Sequence, residues 1–282
     1  MTDESQVPEL ADFRARLDRA EELYEALGTA WGVYLEQRPH RLVTKLHADG
    51  RGELLMERVV PMPAELGLIL GEFLYQLRAA LDNCLYAVAV IVAGTSPPPG
   101  AGALQWPTCD TAEAFNKQRS RLKYLRSDLV DALEAIQPYQ AELPTWNSLR
   151  LLNDLARVDR HRTLHLVTLV PVASDLIVDL DVIQNVELRT GEDLDDGGTI
   201  LTFVFTGSGG LRREHIDGNF EFEVELADVE RSAGPTGEVM RPWGTLAKRL
   251  QSMRLAVLGY AEGLVHLACN PDVTEPPHAH GP

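Results

Sequence analysis

Two polar clusters interrupt otherwise apolar helical segments, and they hold the side chains best suited to chemistry. LRAALDNCLYAVAV carries Arg78, Asp82 and Asn83, and LARVDRHRTLHL carries Asp159, Arg160, His161, Arg162 and His165. An unpaired charge inside a core is costly, so the clusters are either each other's partners or a site. An arginine can steady an anion, and a histidine can move a proton near neutral pH. His161 and His165 are four apart, with Asp154 seven residues before His161, a spacing that on one helix face could hold a divalent metal. That metal reading lacks the glutamate of HExxH and an obvious third ligand.

The bulk of the chain sets limits on these readings. Its 282 residues can bury a sizeable core. The beginning, MTDESQVPEL, has neither the basic flank nor the apolar run of a signal peptide. The strongly apolar stretch from Cys84 to Ala93 is too short to span a membrane, so a cytoplasmic protein without a membrane partner is expected. Cys84, Cys109 and Cys269 are odd in number and widely spaced, which fits neither a disulfide framework nor a zinc knuckle. The formal charge of −16 argues against broad nucleic-acid affinity. Between Ser174 and Glu238 sixteen acids face four bases, so most of the acidity belongs to one segment. Lys117, Arg119, Arg121, Lys123 and Arg126 form a local basic run, read first as a solvated helix face.

Hydrophobic periodicity supplies the elements that must position the clusters. Leu10, Phe13, Leu17, Tyr24, Leu27, Trp31 and Tyr34 recur at helical spacing over about 8–36. RLVTKLHADGRGELLMERVV reads as a hairpin with Asp49-Gly50 near its turn. A long helix follows over about 64–92 and ends at Gly94 and the breakers TSPPPGAG. A third helix is expected from Asp110 or Thr111 to Ile136, and a fourth from Pro144-Thr145 through the second cluster to Leu166. VTLVPVASDLIVDLDVI, TILTFVFT and NFEFEVEL alternate as strands, the last with Phe220, Phe222, Val224 and Leu226 on one face and Glu221, Glu223 and Glu225 on a wet one. A last helix runs from Pro242 to about Ala268. The fold class expected is α+β: a bundle of about five helices with an early β-hairpin and a small antiparallel sheet inserted before the last helix. The pattern predicts one domain over 1–270, with a helical core at 1–166 and 240–269, an acidic β segment at 167–238 and a disordered tail at 271–282.

Within this frame Arg78 and Asp82, four apart, can pair with one another, and Asp159 projects into the stripe of Leu152, Leu155 and Leu166. The bland arrangement has Asp159 accepting from Arg78, fixing the register of two helices. Arg160 and Arg157 point to a polar face, while Asp154, His161 and His165 share another. No cofactor is expected: TGSGG lacks a following GK[ST], and no GxSxG elbow is present. His278 and His280 lie in the tail.

The run Arg78-Ala-Ala-Leu-Asp-Asn83 resembles the R-x4-6-H signature of HEPN-type helical-bundle ribonucleases, with Asn83 where the histidine stands. Leu77 to Asn83, Trp106-Pro107, Gln137-Pro138-Tyr139 and Asp159 to Arg162 together resemble a set of uncharacterised bacterial and phage proteins. Their pattern is LR-[SA]-x-LD-[HN], an aromatic-Pro, QPY and D-[KR]-HR. The HEPN resemblance implies a homodimeric ribonuclease, or a regulator derived from one, with RNA or a protein as partner. Arg78 would steady the scissile phosphate, and Asn83 would occupy the place of the base. Asn83 cannot take up a proton, which leaves three readings open. The first is a non-catalytic or regulatory binding module. The second is a ribonuclease in which Arg78 works with His161, and the third is a metal-dependent hydrolase built on His161 and His165.

Overall fold

The computed structural model describes residues 7–162, 164, 166–169, 173–189, 193–194, 197–212 and 214–271. The fold is mixed α+β, with six α-helices among the described residues. The helices are α1 (Glu9–Glu36), α2 (Ala64–Ala93), α3 (Ala112–Arg119), α4 (Ser127–Ala135), α5 (Ser148–His161) and α6 (Leu246–Cys269). The strands up to the loop after α5 are β1 (His40–Leu46), β2 (Arg51–Arg58) and β3 (Leu166–Leu169). They are followed by β4 (Ala173–Val178), β5 (Ile183–Leu188), β6 (Asp193–Leu194), β7 (Gly198–Phe205), β8 (Ile216–Phe220) and β9 (Glu223–Leu226). The short β10 (Ser232–Ala233) and β11 (Val239–Met240) precede α6. The chain divides into two compact units, one of residues 7–27, 68–164 and 229–271, the other of residues 28–67 and 165–228.

The first unit is helical. Leu70, Phe73, Leu74, Leu77 and Leu81 bury one stripe of α2, and Leu250, Met253, Val257, Ala261 and Leu264 bury one stripe of α6. By length and composition α2 could cross a membrane, but that apolar stripe is used inside the fold. The helix expected over 110–136 is two helices. Thr111 caps α3 by accepting from the Ala114 amide at 3.1 Å, and extended backbone at Arg126 starts α4. The break frees Arg126 to donate to the last carbonyls of α6, Leu267 O at 2.7 Å and Ala268 O at 3.0 Å. Helix α5 also starts later than its pattern suggests, because Pro144–Trp146 form a 3-10 turn and Asn147 caps the amides of Leu149 and Arg150. It ends at His161, where Arg162 turns extended, and Leu166 belongs to β3 instead.

Before α6, Thr245 supplies the cap, so Pro242 lies outside the helix. The fully buried Arg249 donates to Pro242 O at 2.9 Å and to Gly244 O at 2.7 Å, anchoring the lead-in to its own helix.

The second unit is the β unit. Strands β1-β2-β7-β5 form an antiparallel sheet in that order, so the early hairpin joins strands more than a hundred residues later. Gly50 turns the hairpin at φ +85°, the left-handed region that glycine enters without steric cost. β6-β3-β9 make a second sheet, and β4 pairs with β8. Leu54, Met56, Ile183, Ile200, Leu201, Phe203, Ile216 and Phe220 form the core of this unit. The strand expected through NFEFEVEL divides at Glu221-Phe222, because β8 pairs with β4 while β9 pairs with β3. The expected wet face survives only in part: Glu221 is exposed and Glu223 half-buried, but Glu225 is buried, while on the other face Phe222 is only half-buried. The segment from 272, with His278 and His280, and part of the acidic turn near 190–196 lie outside the described residues.

Replacing Arg249 with Met keeps the stem and removes the charge-assisted bonds to Pro242 O and Gly244 O. We expect Arg249→Met to cost about 2–4 kcal/mol of unfolding free energy, read by urea denaturation.

Candidate functional site

Helix α2 presents Arg78 and Asp82 one turn apart to the loop of residues 104–111. The Arg78 guanidinium donates to Trp106 O at 2.6 Å and to Thr108 Oγ1 at 3.3 Å, and it pairs with Asp82 at 3.5 Å. Asp82 in turn accepts from the Trp106 amide at 2.8 Å. Donor and acceptor of the same residue, Trp106, are thus held from the same helix. Burial lowers the Arg78 pKa, the Asp82 charge raises it, and the Arg160 guanidinium lowers it again.

The other side of the loop is held by Gln137, which is fully buried just beyond α4. Its Oε1 accepts from the Cys109 amide at 2.8 Å, and its Nε2 donates to Pro107 O at 3.2 Å and Leu133 O at 2.7 Å. Next to it, the Tyr139 hydroxyl donates to Glu134 at 2.8 Å, and the other oxygen of that carboxylate takes a short bond from Arg119. Residues 77–83, 106–107 and 137–139, three scattered stretches of sequence, converge on one loop. Gln137 and Thr108 were not picked out as site residues. Leu129, Leu133 and Gln137 follow each other at four-residue steps, so an amide extending an apolar helix stripe was the available signal.

The second cluster meets α2 differently from the expected arrangement. Among the described residues Asp159 makes no ion pair with Arg78 and no hydrogen bond. Its carboxylate sits against Gly71, where a β-carbon would stand 2.6 Å from Oδ2 and 2.7 Å from Oδ1. Arg78 is turned from it by the stronger offer of the loop carbonyl and of Asp82 on its own helix. Burial raises the Asp159 pKa, as expected of a carboxylate with no cationic partner. The residue of α5 that comes near Arg78 is Arg160, which is exposed and donates Nε to Ala156 O at 3.2 Å.

His161 and Arg162 are exposed, and Asn83 is half-buried. Neither His161 nor the Asn83 amide makes a side-chain hydrogen bond among the described residues. The helix on which the metal reading relies stops at His161, and His165 lies outside the described residues. Asp154 is engaged by Arg157 at 3.3 Å and Arg150 at 3.6 Å. Burial raises its pKa, while those two arginines hold it down. No group of three His, Cys, Asp or Glu side chains suited to a metal occurs among the described residues.

The basic run is largely neutralised. Lys117 pairs with Glu113 at 2.7 Å, Arg119 with Glu134, and Arg126 with Asp128 at 2.8 Å. Lys123 lies over the Tyr124 ring at 4.8 Å.

No protein-family model, no curated protein and no solved structure matches the chain. The chemistry open to the site therefore follows from its own geometry. It is a buried frame of hydrogen bonds around a loop, flanked by an exposed cationic helix end.

Two substitutions check this arrangement. Gln137→Leu strands the Cys109 amide and two carbonyls, and an unfolding cost of about 2–4 kcal/mol is expected by calorimetry. Gly71→Ala is expected to shift stability by less than about 1 kcal/mol in the natural chain, because the Asp159 carboxylate must move aside while the helix gains propensity. In an Asp159→Ala background the same change stabilises by up to about 1 kcal/mol through helix propensity.

Proposed function

We propose that this chain is a non-catalytic, HEPN-like binding module of the cytoplasm, with a protein as its partner. The observation that carries the reading is the placement of the Arg78 guanidinium. Its donors go to Trp106 O, Thr108 Oγ1 and Asp82, with only 18% of the side chain exposed, so it holds a loop rather than a reacting phosphate. The amide of Asn83 cannot act as a general base. His161 is exposed at the end of α5, with no carboxylate or carbonyl to orient its ring among the described residues.

A protein partner is favoured over RNA by charge. The chain carries −16 overall, and three of the five cations of the basic run are spent on Glu113, Glu134 and Asp128. The exposed Arg160 and His161 at the C-terminal end of α5 suit an acidic side chain on a partner surface. Three buried cysteines, none of them in a disulfide, suit a reducing compartment.

A quenched fluorescent single-stranded RNA incubated with the full chain is expected to remain intact from about pH 6 to 8. In parallel, Arg78→Met should lower unfolding free energy by about 2–4 kcal/mol, as a framework residue would. RNA cleavage that disappears in His161→Ala, with stability unchanged, would replace this reading with the ribonuclease one.

A further inference from the structure

Within the β unit, four pieces of chain meet on the imidazole of His40, the first residue of β1. Tyr34, near the end of α1, meets it edge-on, with ring centroids 6.0 Å apart at 90°. Phe222, between β8 and β9, lies against it at 4.3 Å. Thr168 of β3 is fully buried and places Oγ1 3.3 Å from Nε2. Arg58 of β2 stands directly opposite His40 in the β1–β2 ladder. Nδ1 is buried and meets no hydrogen-bond partner among the described residues. The Tyr34 hydroxyl is itself committed to Val60 O at 2.8 Å.

The charged and titratable groups around this ring are all of one tendency. Arg58 is the cation facing it from β2, and Tyr34 is the titratable group facing it from α1. On β9, Glu223 and Glu225 are in register with Leu169 and Val167, so the pleat carries them to the face away from Thr168. Arg41, the next residue of β1, points to the other face and binds Glu57. Among the described residues the charge that acts on the ring is that of Arg58, and no carboxylate offsets it there. A protonated imidazole carries N–H groups on both nitrogens, and the one at Nδ1 would find no acceptor, beside a guanidinium.

We propose that His40 is an acid latch in the β unit. In the neutral form its ring joins the end of α1 to β1 and β3, and protonation expels the ring and opens the unit at these elements. Burial, and after it the charge of Arg58, lowers the His40 pKa from 6.5 to about 4. The unfolded chain therefore takes up this proton at higher pH than the folded one. Stability from this group is intact above about pH 6.5 and falls as pH drops toward 4.

The test uses the full chain with labelled histidine, followed by NMR over pH, with amide hydrogen exchange corrected for intrinsic rates. The expected result is a His40 midpoint near pH 4. Between pH 6.5 and 4, exchange over 40–58 and 166–169 should rise about tenfold or more. In His40→Phe, whose ring suits the same aromatic contacts and cannot titrate, that rise should vanish. In Arg58→Met both the midpoint and the opening should move to higher pH, which keeps the test open if His40→Phe does not fold. A His40 midpoint near 6.5, a titration without opening, or an equal rise in His40→Phe would each overturn the latch.

Discussion

The bonds that Arg78 and Asp82 make to Trp106 are the constraint on which the helical unit turns. A loop of eight residues between α2 and α3 has few partners of its own, and buried backbone groups without partners are costly. One helix supplies both a donor for the Trp106 carbonyl and an acceptor for its amide, so the loop is seated by two opposite charges set four residues apart. Gln137 completes the seating from the opposite side by matching the donor and acceptor of its amide to the backbone at Pro107 and Cys109. The fully buried Trp106 ring then becomes part of the core that α2 closes. Charge here specifies position. The pair in place is more valuable than its net electrostatic contribution, because losing one member strands the other.

The same logic recurs where helices end. Arg126 takes the last carbonyls of α6, and Arg249 takes carbonyls that lead into it. Arginine is suited to this work, since its planar head serves several acceptors at once and keeps its charge even when buried. Asp159 is the exception. It faces Gly71 with no cation paired to it among the described residues, and the helical unit accommodates it by omitting a side chain on α2.

Elements whose causes are local were legible in the chain. The hairpin of β1 and β2 followed from alternation around Asp49-Gly50, and the long stripes of α1, α2 and α6 followed from their period. The break between α3 and α4 was hidden, because the bonds it allows, from Arg126 to carbonyls some 140 residues away, leave no local mark in the sequence. The end of α5 was hidden as well: no glycine or proline marks it, and Leu166 continues the helical period although pairing with Leu226 claims it for a strand. Perfect alternation through 219–226 concealed a change of partner strand at its middle. At the candidate site, the four-residue spacing of Arg78 and Asp82 was readable. The loop that both residues hold was marked only by Trp106-Pro107 in the resemblance, since hydrophobic periodicity links position 78 to neither 106 nor 108.

The order of the four-stranded sheet bears on how this protein is made. Leu54 of β2 is opposite Leu201 of β7, so an early hairpin stays one strand short until roughly another 150 residues have left the ribosome. Throughout that interval its inner edge presents unsatisfied amides and carbonyls beside Leu54 and Met56. Chaperone demand should therefore concentrate on the nascent hairpin and ease once β7 docks.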